Sequence, residues 1–362
     1  MRGKGSPSVL QKNAASFRKF RSFAALTAIL ACLITAGACN TTGNTKSASK
    51  TALFFDTSIT ITIYDSRAEE LLEGCLLRCR SLELVYSAVN PESELYRINS
   101  RAPEEQEFTL SEELQTAIAA ALRAYEDSGG LFDPTILPVT DLWDFRTGNG
   151  TVPDSALIEE ALDAVEAGNL QLSGNTLKVL SPDTRIDLGA VAKGCISAIL
   201  RDYLRSENCG GAVLNLGGNI CVLGKKPGNE AFRIGIQKPF SERGELLATV
   251  QMQEGSVISS GVYERCFMQD GTLYHHILSA ETGMPVDTGL TQATVIGRDD
   301  VLGDALSTVC ILLGKEKAEE LILEKKHDVK VLFTGSDGSL TLFDPAKGEE
   351  SVREGAVLEI AP

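Results

Sequence analysis

The chain has 362 residues, of which 43% are hydrophobic, and a formal net charge of −15. The first 38 residues carry six basic side chains and no acidic one, so taking these six charges away from −15 leaves −21 on the rest. A body this acidic is a poor partner for nucleic acid, and a phosphorylated ligand would need a cation beside it.

The N-terminus is typical of an exported protein. Basic residues up to Arg21 precede a short apolar run over 23–35, and small residues then lead to Cys39. This pattern predicts a lipoprotein signal peptide over 1–38 and is similar to a bacterial lipobox, in which Cys39 becomes the lipidated first residue. The protein would then be exported and lipid-anchored to the outer face of the bacterial cytoplasmic membrane. Residues 39–50 are predicted to form a flexible tether.

Strands and helices are mixed along the rest of the chain. Residues 51–64 alternate Ile with Thr and predict one strand. Apolar residues at helical spacing predict helices over 67–87, from 111 to about 125, over 153–166, over 195–204 and over 303–323. The remaining strands are predicted as a pair over 170–180 and as single strands over 212–216, 220–223, 232–237, 246–252, 291–297, 329–334 and 339–343.

These elements predict an α+β fold, with mixed or antiparallel sheets and flanking helices. The composition does not break inside the chain, so we expect a single compact domain over 51–348 and a C-terminal tail over 349–362. A division of that domain into two lobes is left open. Seven scattered cysteines remain after Cys32 and Cys39, and an odd number without paired spacing argues against a disulfide framework.

One stretch, 185–194, places charged residues where a strand leads into a helix. Asp187 and Lys193 flank a glycine and small residues just before the predicted helix over 195–204. The N-terminus of a helix offers unpaired N–H groups and a partial positive charge, which suit a phosphate. An acid at this point can equally cap its own helix. The stretch alone leaves both interpretations open.

Asp304 and Thr308 form a second candidate site. They lie four residues apart in a predicted helix, so both oxygens face the same side. A carboxylate and a hydroxyl one turn apart suit Mg²⁺, which fills its other positions with water and phosphate oxygens. An Asp near a helix start can instead be a cap. His275 and His276 follow each other in a strand-like run and point to opposite faces, so one of them is a candidate site residue.

Several blocks, in a fixed order over roughly residues 53–335, resemble the ApbE family of FAD:protein FMN transferases. No Rossmann or P-loop glycine motif is present, so these blocks carry the functional assignment. The blocks are 86–99 (YSAVNPESELYRIN), 132–135 (FDPT), 187–194 (DLGAVAKG), 215–219 (NLGGN), 260–265 (SGVYER), His276-Ile277 with Thr282-Gly283, and 304–308 (DALST).

The resemblance implies a reaction. Members bind FAD and Mg²⁺, and a Thr or Ser hydroxyl of a target protein attacks the phosphorus on the FMN side of the pyrophosphate. FMN becomes linked to the target through a phosphoester, and AMP departs. The targets implied for an exported member are flavoproteins of an extracytosolic electron-transfer system.

The resemblance also implies roles for individual residues. The Mg²⁺ ligands would be the Ala190 carbonyl, Asp304 and Thr308. The FAD contacts would come from Phe55, Tyr86, Phe132, Asp133, Pro134, Asp187, Lys193 and Ile277, with Tyr86 as the ring that stacks on the flavin. Phe55 stands where many members have Met, which is a departure from the family pattern. On chemical grounds the attacking hydroxyl needs a base or a metal to draw off its proton; Asp304 or His276 could serve, and the sequence does not choose between them.

Two other functions remain as alternatives. The same site acting on water would be a Mg²⁺-dependent FAD pyrophosphatase that yields FMN and AMP. A flavin-binding lipoprotein without turnover is the third interpretation, although a carrier has no need of Asp304 and Thr308 beside a phosphate. The chain contains no convincing copy of the acceptor pattern Asp-x-x-[Ser/Thr]-[Gly/Ala]-[Ala/Ser]-[Thr/Ser].

Overall fold

An antiparallel sheet of nine strands runs through the molecule, and helices cover one of its faces. The computed structural model describes residues 47–145 and 150–359. Its helices are α1 Ala68–Tyr86, α2 Glu94–Asn99, α3 Glu112–Asp127, α4 Leu137–Trp143, α5 Ser155–Leu162, α6 Ala192–Ser206, α7 Asp300–Leu313 and α8 Lys315–Lys325, with a 3-10 turn at Ala167–Asn169.

The strands of the described residues are β1 Ser47–Phe54, β2 Thr57–Tyr64, β3 Glu107–Thr109, β4 Leu170–Ser173, β5 Thr176–Val179, β6 Gly211–Leu216, β7 Asn219–Gly224, β8 Phe232–Gln237, β9 Leu246–Met252, β10 Gly255–Gly261, β11 Cys266–Gln269, β12 Thr272–His275, β13 Leu290–Gly297, β14 Lys330–Gly335, β15 Leu340–Asp344, β16 Gly348–Ser351 and β17 Ala356–Glu359. The large sheet has the order β1-β2-β6-β7-β10-β13-β14-β15-β16. Smaller sheets have the orders β17-β9-β8, β3-β5-β4 and β11-β12. The predicted α+β class is confirmed.

Strand β14 shows that the large sheet packs against a hydrophobic core on each of its two faces. Val331 and Phe333 of β14 belong to the main core beneath α1, α3, α6 and α7, whereas Leu332 between them belongs to a second core on the other face. This follows from the alternation of side chains along a strand. A third core surrounds Trp143, whose indole Nε1 donates to the Gly283 carbonyl at 2.9 Å.

The predicted single strand over 51–64 is wrong, because the chain turns back on itself in its middle. Strands β1 and β2 pair as a hairpin, with Phe54 opposite Thr57. Phe55 and Asp56 form the two-residue turn with φ of 54° and 55°. Hairpin turns of this length require positive φ and usually contain Asn or Gly. Neither residue stands here, so the turn left no signature in the sequence.

The predicted long helix over 303–323 is also wrong, because two helices occupy this region. Helix α7 starts before the predicted boundary, and Gly314 separates it from α8 with φ of 78°. The Gly314 N–H still donates to the Cys310 carbonyl at 3.0 Å, which closes the last turn of α7. A glycine tolerates this conformation at a helix end.

The predicted outer boundaries of the domain shift at both ends. Residues 47–50, assigned to the tether, are part of β1 and pair with 61–64. The predicted tail contains most of β16 and all of β17, and β17 runs parallel to β9 with Leu358 in the second core. Each segment satisfies its backbone by joining an existing sheet edge. The predicted signal peptide, Cys39 and residues 40–46 lie outside the described residues.

The expected absence of a disulfide framework concerns seven cysteines, and all seven are free thiols in the described part of the chain. Cys75 and Cys79 are fully buried in α1, as expected for residues that pack against a core. Within residues 47–145 and 150–359, no helix has the length and apolar character needed to cross a membrane.

Candidate active site

The carboxylate of Asp304 is the point where three distant parts of the chain meet. This residue is 2% exposed and lies in the first half of α7. Its Oδ2 accepts the Gly194 N–H of α6 at 2.8 Å, and its Oδ1 accepts the Asn219 side-chain amide of β7 at 2.6 Å. The Lys193 ammonium lies 3.5 Å from Oδ1. Two neutral donors and one cation therefore fix both oxygens.

Asp304 does not cap its own helix. That role belongs to Asp299, whose Oδ1 accepts the N–H groups of Val301 and Leu302, each at 3.0 Å. The alternative of a helix cap at Asp304 is therefore wrong. Asp304 instead reaches across to the start of another helix, which confirms that it is joined to the stretch that contains Lys193.

The Ala190 carbonyl is left without a backbone donor at the start of α6. In a regular helix it would accept the Gly194 N–H, but that group donates to Asp304 instead. The neighbouring carbonyls are used, since Leu188 accepts from Ala192 and Val191 accepts from Cys195. Among the described residues, no hydrogen bond ends on the Ala190 oxygen. A half-buried carbonyl with free lone pairs is a suitable ligand for a hard cation.

Thr308 lies one turn after Asp304, and its hydroxyl belongs to a short chain of hydroxyl groups. Thr308 Oγ1 is 3.0 Å from Ser260 Oγ, which is 2.8 Å from Ser307 Oγ. Ser307 Oγ donates to the Asp304 carbonyl at 2.9 Å. Ser260 of strand β10 thus helps to hold the side chain of Thr308 in place.

A metal at this point would have mixed oxygen ligands. The described residues contain no group of three or more His, Cys, Asp or Glu side chains that could hold a metal ion. The donors present are one carboxylate at Asp304, one hydroxyl at Thr308 and one free carbonyl at Ala190. This donor set fits Mg²⁺, which takes few protein ligands and fills its other positions with water and phosphate oxygens.

Asp187 and Lys193 lie on the two sides of the turn before α6. Asp187 Oδ1 accepts the Gly189 N–H at 2.7 Å, and the Lys193 ammonium donates to the Gly189 carbonyl at 3.1 Å. Helix α6 begins after Val191 and has no side-chain cap. The interpretation of Asp187 as a cap for its own helix is therefore wrong. Its Oδ2 makes no hydrogen bond within the described residues, so it can accept one from a ligand.

Phe132, Asp133 and Pro134 lie behind this turn and support it. Asp133 is buried, and its oxygens accept from the Thr135 N–H at 2.7 Å, the Thr135 hydroxyl at 2.6 Å and the Ala167 N–H at 3.1 Å. Burial raises the pKa of Asp133. Phe132 packs in the main core. Protein groups already surround both of these side chains, and the FAD contacts of Phe132 and Asp133 stay a prediction.

Pro134 acts through its backbone. Its carbonyl accepts the Asp187 N–H at 2.7 Å and thereby holds the Asp187 side chain at the edge of the site. The segment that carries Pro134 is also tied down by a parallel bridge between Ile136 and Arg185. Pro134 itself is buried, so its part in the site is to position Asp187.

Tyr86 is a core residue. Its ring is 5% exposed, and its hydroxyl donates to the Glu113 carbonyl at 3.1 Å. Burial raises the pKa of the Tyr86 hydroxyl far above its usual range. The prediction that Tyr86 stacks on a flavin is wrong, because neither face of this ring is open.

Phe55 lies at the tip of the β1–β2 hairpin, beside the turn that leads to Asn219. The Gly217 N–H donates to the Ser58 carbonyl at 3.1 Å, so the two turns are in contact. The Phe55 N–H donates to Glu83 Oε1 at 3.1 Å, which fixes the hairpin tip against α1. Phe55 is half-buried. The structure therefore places the hairpin turn of Phe55 against the turn that carries Gly217, and the FAD contact of Phe55 stays a prediction.

His275 and His276 have different environments. His275 Nδ1 accepts the Ile277 N–H at 3.3 Å, so its Nε2 carries the proton and donates to the Val286 carbonyl at 3.0 Å. Its role is to hold the loop after β12. His276 Nδ1 is buried without a hydrogen-bond partner in the described part of the chain. Burial, and then the positive charge of Arg265, lowers the pKa of His276 to about 3.

Ile277 does not present its side chain to the site. It is buried in the main core, and its N–H and carbonyl are both engaged, the second by the Val286 N–H at 3.1 Å. The contact between Ile277 and FAD stays a prediction. His276, its neighbour, is close enough to Lys193 for that charge to contribute to the lowered pKa of the imidazole.

A comparison with protein families gives one match, which covers most of the chain. The sequence model of the ApbE family matches residues 55–333. The chain belongs to the ApbE family. The matched range contains Phe55, Asp187, Lys193, His276 and Asp304, so the site described above lies inside the family region. The resemblance found in the sequence is confirmed.

Curated ApbE relatives are named FAD:protein FMN transferase. One from Klebsiella pneumoniae is 32% identical over 301 residues, which covers 83% of this chain and 92% of the relative. Another from Treponema pallidum is 29% identical over 316 residues, covering 82% and 87% of the two chains. The ApbE protein of Thermotoga maritima has a crystal structure with a TM-score of 0.73, at 28% identity, over 82% of this chain and 96% of that one.

Three groups that hold this ApbE site together were missed by sequence reasoning. They are the Gly194 N–H and the Asn219 amide, which fix Asp304, and the Ser260 hydroxyl, which contacts Thr308. Asn219 and Ser260 stood in blocks already quoted for the family resemblance, but no role was given to them. A backbone N–H has no signature in a sequence.

Proposed function

We propose that this chain transfers FMN from FAD to proteins, with AMP as the second product. A Thr or Ser hydroxyl of the acceptor protein attacks the phosphorus on the FMN side of the pyrophosphate, and a phosphoester forms. The relatives named FAD:protein FMN transferase support this activity. The observation that carries it is the contact between the Asp304 carboxylate and the start of α6, which joins the predicted cation site to the predicted phosphate site.

Asp304, Thr308 and the Ala190 carbonyl would hold Mg²⁺. When bound, Mg²⁺ supplies positive charge that stabilises the developing charge on the pyrophosphate oxygens. The protein has a strongly acidic body, so such a cation offsets repulsion of the dinucleotide. The fit of the donor set supports this proposal, since all three groups are oxygen donors and the Ala190 carbonyl has no other partner among the described residues.

The start of α6 binds and orients the pyrophosphate. The Lys193 ammonium is partly exposed and lies between Gly189 and Asp304, so it can contact a phosphate oxygen without losing its position. The helix N-terminus adds N–H groups and a partial positive charge. Asp187 has a free carboxylate oxygen at the edge of the turn and accepts a hydrogen bond from a hydroxyl or amide of FAD.

His276 takes the proton of the attacking hydroxyl. Asp304 is a poor base here, because its oxygens already accept from Gly194 and Asn219. His276 is neutral at pH 7 and has a ring nitrogen without a partner in the described residues. Bound pyrophosphate would raise the pKa of His276 back toward its usual value, because a nearby negative charge favours the imidazolium.

The acceptors would be flavoproteins of an extracytosolic electron-transfer system, and the enzyme would act at the outer face of the cytoplasmic membrane. This part of the proposal is supported by the basic and apolar N-terminal pattern and by Cys39 after small residues. A lipid on Cys39 would keep the enzyme close to membrane-bound acceptors.

The test is an assay with the full chain, FAD, Mg²⁺ and an acceptor domain that carries the pattern Asp-x-x-Thr-Gly-Ala-Thr. AMP release and the mass of the acceptor are followed together. We expect equal amounts of AMP and of acceptor that has gained FMN. The acceptor should gain no mass when the Thr residues of this pattern are replaced by Ala. AMP without an adduct would mean that the enzyme hydrolyses FAD. No AMP at all would overturn both activities.

A further inference from the structure

The hydroxyl chain from Thr308 to Ser307 has a direction that its hydrogen bonds determine. Each hydroxyl has one proton to donate. Ser307 Oγ lies 2.9 Å from the Asp304 carbonyl, which can only accept, so the Ser307 proton is used there. Ser260 must therefore donate to Ser307, at 2.8 Å. Its own proton is then used, so Thr308 must donate to Ser260, at 3.0 Å.

This direction leaves the Thr308 oxygen with free lone pairs. The Thr308 proton points to strand β10. The side of the hydroxyl that faces away from β10 therefore presents only oxygen lone pairs. If Ser260 donated to Thr308 instead, one lone pair would be occupied and the Thr308 proton would have to turn elsewhere. A hydroxyl binds a cation through its oxygen lone pairs and is repelled at its proton.

We propose that Ser260 and Ser307 are positioning residues that orient the Thr308 hydroxyl for a divalent cation. The proposal rests on the proposed function, since it takes Thr308 as a Mg²⁺ ligand. Ser307 is fully buried and Ser260 is half-buried, so bulk water does not compete freely for their protons. Groups that orient the ligands of a metal have typical effects of about 10- to 100-fold on metal affinity.

The two serines should act as one unit. In Ser260→Ala the Thr308 proton loses its acceptor. In Ser307→Ala the Ser260 proton loses its acceptor and turns toward Thr308. Both variants therefore disturb the same hydroxyl, although Ser307 lies beyond hydrogen-bond reach of the Thr308 oxygen in this relay. The double variant should therefore disturb the Thr308 hydroxyl no more than Ser260→Ala does.

The experiment measures binding of Mg²⁺ alone to the full chain, by the rise of the melting temperature with Mg²⁺ concentration. We expect about tenfold weaker Mg²⁺ binding in Ser260→Ala and in Ser307→Ala, and a double variant no weaker than Ser260→Ala. Ser260→Thr keeps the hydroxyl on a strand that favours β-branched residues and should bind Mg²⁺ as the wild type does. The Mg²⁺ concentration that gives half-maximal AMP release should rise by the same factor in Ser260→Ala and in Ser307→Ala.

A matched control is available one residue away. Ser259 Oγ makes a similar contact, at 2.8 Å to Thr294 Oγ1, but it faces the other side of β10. Ser259→Ala should therefore leave Mg²⁺ binding unchanged. Suppose that Ser260→Ala and Ser307→Ala bind Mg²⁺ as the wild type does and have normal melting temperatures in its absence. That result would overturn the role of the hydroxyl chain but not the metal site. A wild-type chain that Mg²⁺ does not stabilise would overturn the relay and the metal site together.

Discussion

Asp304 and Gly194 are 110 residues apart in the sequence, and a hydrogen bond of 2.8 Å joins the carboxylate of one to the backbone N–H of the other. This bond replaces the first regular hydrogen bond of α6 and leaves the Ala190 carbonyl free. It is therefore both a tertiary contact and part of the site. The consequences can be tested at both of its ends.

Replacement of Asp304 by Ala should remove Mg²⁺-dependent AMP release, with a loss of about 100-fold or more. It should also lower the free energy of unfolding by about 2 kcal/mol, because two buried donors, Gly194 N–H and the Asn219 amide, lose their acceptor. AMP assays and urea unfolding measure the two effects. Asp299→Ala is the control, since it removes the cap of α7 at a cost of about 1 kcal/mol and should keep activity. Retained activity in Asp304→Ala would contradict the assignment.

Replacement of Gly194 by Ala should separate α6 from α7. A Cβ at this position would meet the Asp300 carbonyl and lie 2.8 Å from Asp304 Cβ. We expect a loss of about 1–3 kcal/mol in stability and a larger loss in activity, because the Asp304 carboxylate moves. Gly303→Ala is a matched control, since its Cβ would meet only the flexible end of Ile258 at 3.0 Å. Equal effects of the two substitutions on activity would refute this account.

His276 should make the fold less stable in acid. Its folded-state pKa is lowered to about 3, below the usual value near 6.5, so the unfolded chain binds a proton first as the pH falls. The contribution is therefore present above pH 6.5 and is lost between pH 6.5 and 3. We expect a drop of up to about 2 kcal/mol between pH 7.5 and 5 that is absent in His276→Asn. Urea unfolding at both pH values measures this drop. An equal drop in the wild type and in His276→Asn would show that His276 is not its source.

Phe55 should contribute to FAD binding at a cost to the hairpin. A positive φ is unfavourable for Phe by about 1–2 kcal/mol, and strain of this kind is retained where a side chain has a function. Phe55→Asn suits the turn and should keep or raise the melting temperature while it raises the KM for FAD. Asp56→Gly relieves the same turn without changing the ring, and its KM should stay at the wild-type value. An unchanged KM in Phe55→Asn would remove Phe55 from the site.

The sequence predicted the groups that a ligand would meet better than the groups that hold them. Asp304, Thr308 and Lys193 came from spacing and family resemblance, and the structure brings them together. Phe132, Asp133 and Ile277 came from the same resemblance, but they support the site from the core. A block of sequence similarity marks the neighbourhood of a site without separating contact from support, because burial depends on residues far away in the chain.

Turns limited how much of the fold could be predicted from the sequence. The alternation of Ile and Thr over 51–64 identified strand residues, yet the hairpin turn at Phe55 and Asp56 has no glycine or asparagine to reveal it. Gly314 stood in the sequence, but an isolated glycine inside an apolar periodic pattern does not by itself end a helix. Strand β17 could not be predicted, since a four-residue strand forms only when the edge of β9 is present to pair with it.

The replacement of a regular helix bond by the bond from Gly194 to Asp304 links catalysis to completion of the chain. The Ala190 carbonyl becomes free only after α7 has docked and its Asp304 has taken the Gly194 N–H. A nascent or truncated chain that ends before Asp304 would carry Lys193 and Asp187 without an assembled cation site. Assembly of the cation site therefore requires that α7 pack against α6, a tertiary contact that local folding of the α6 region cannot supply.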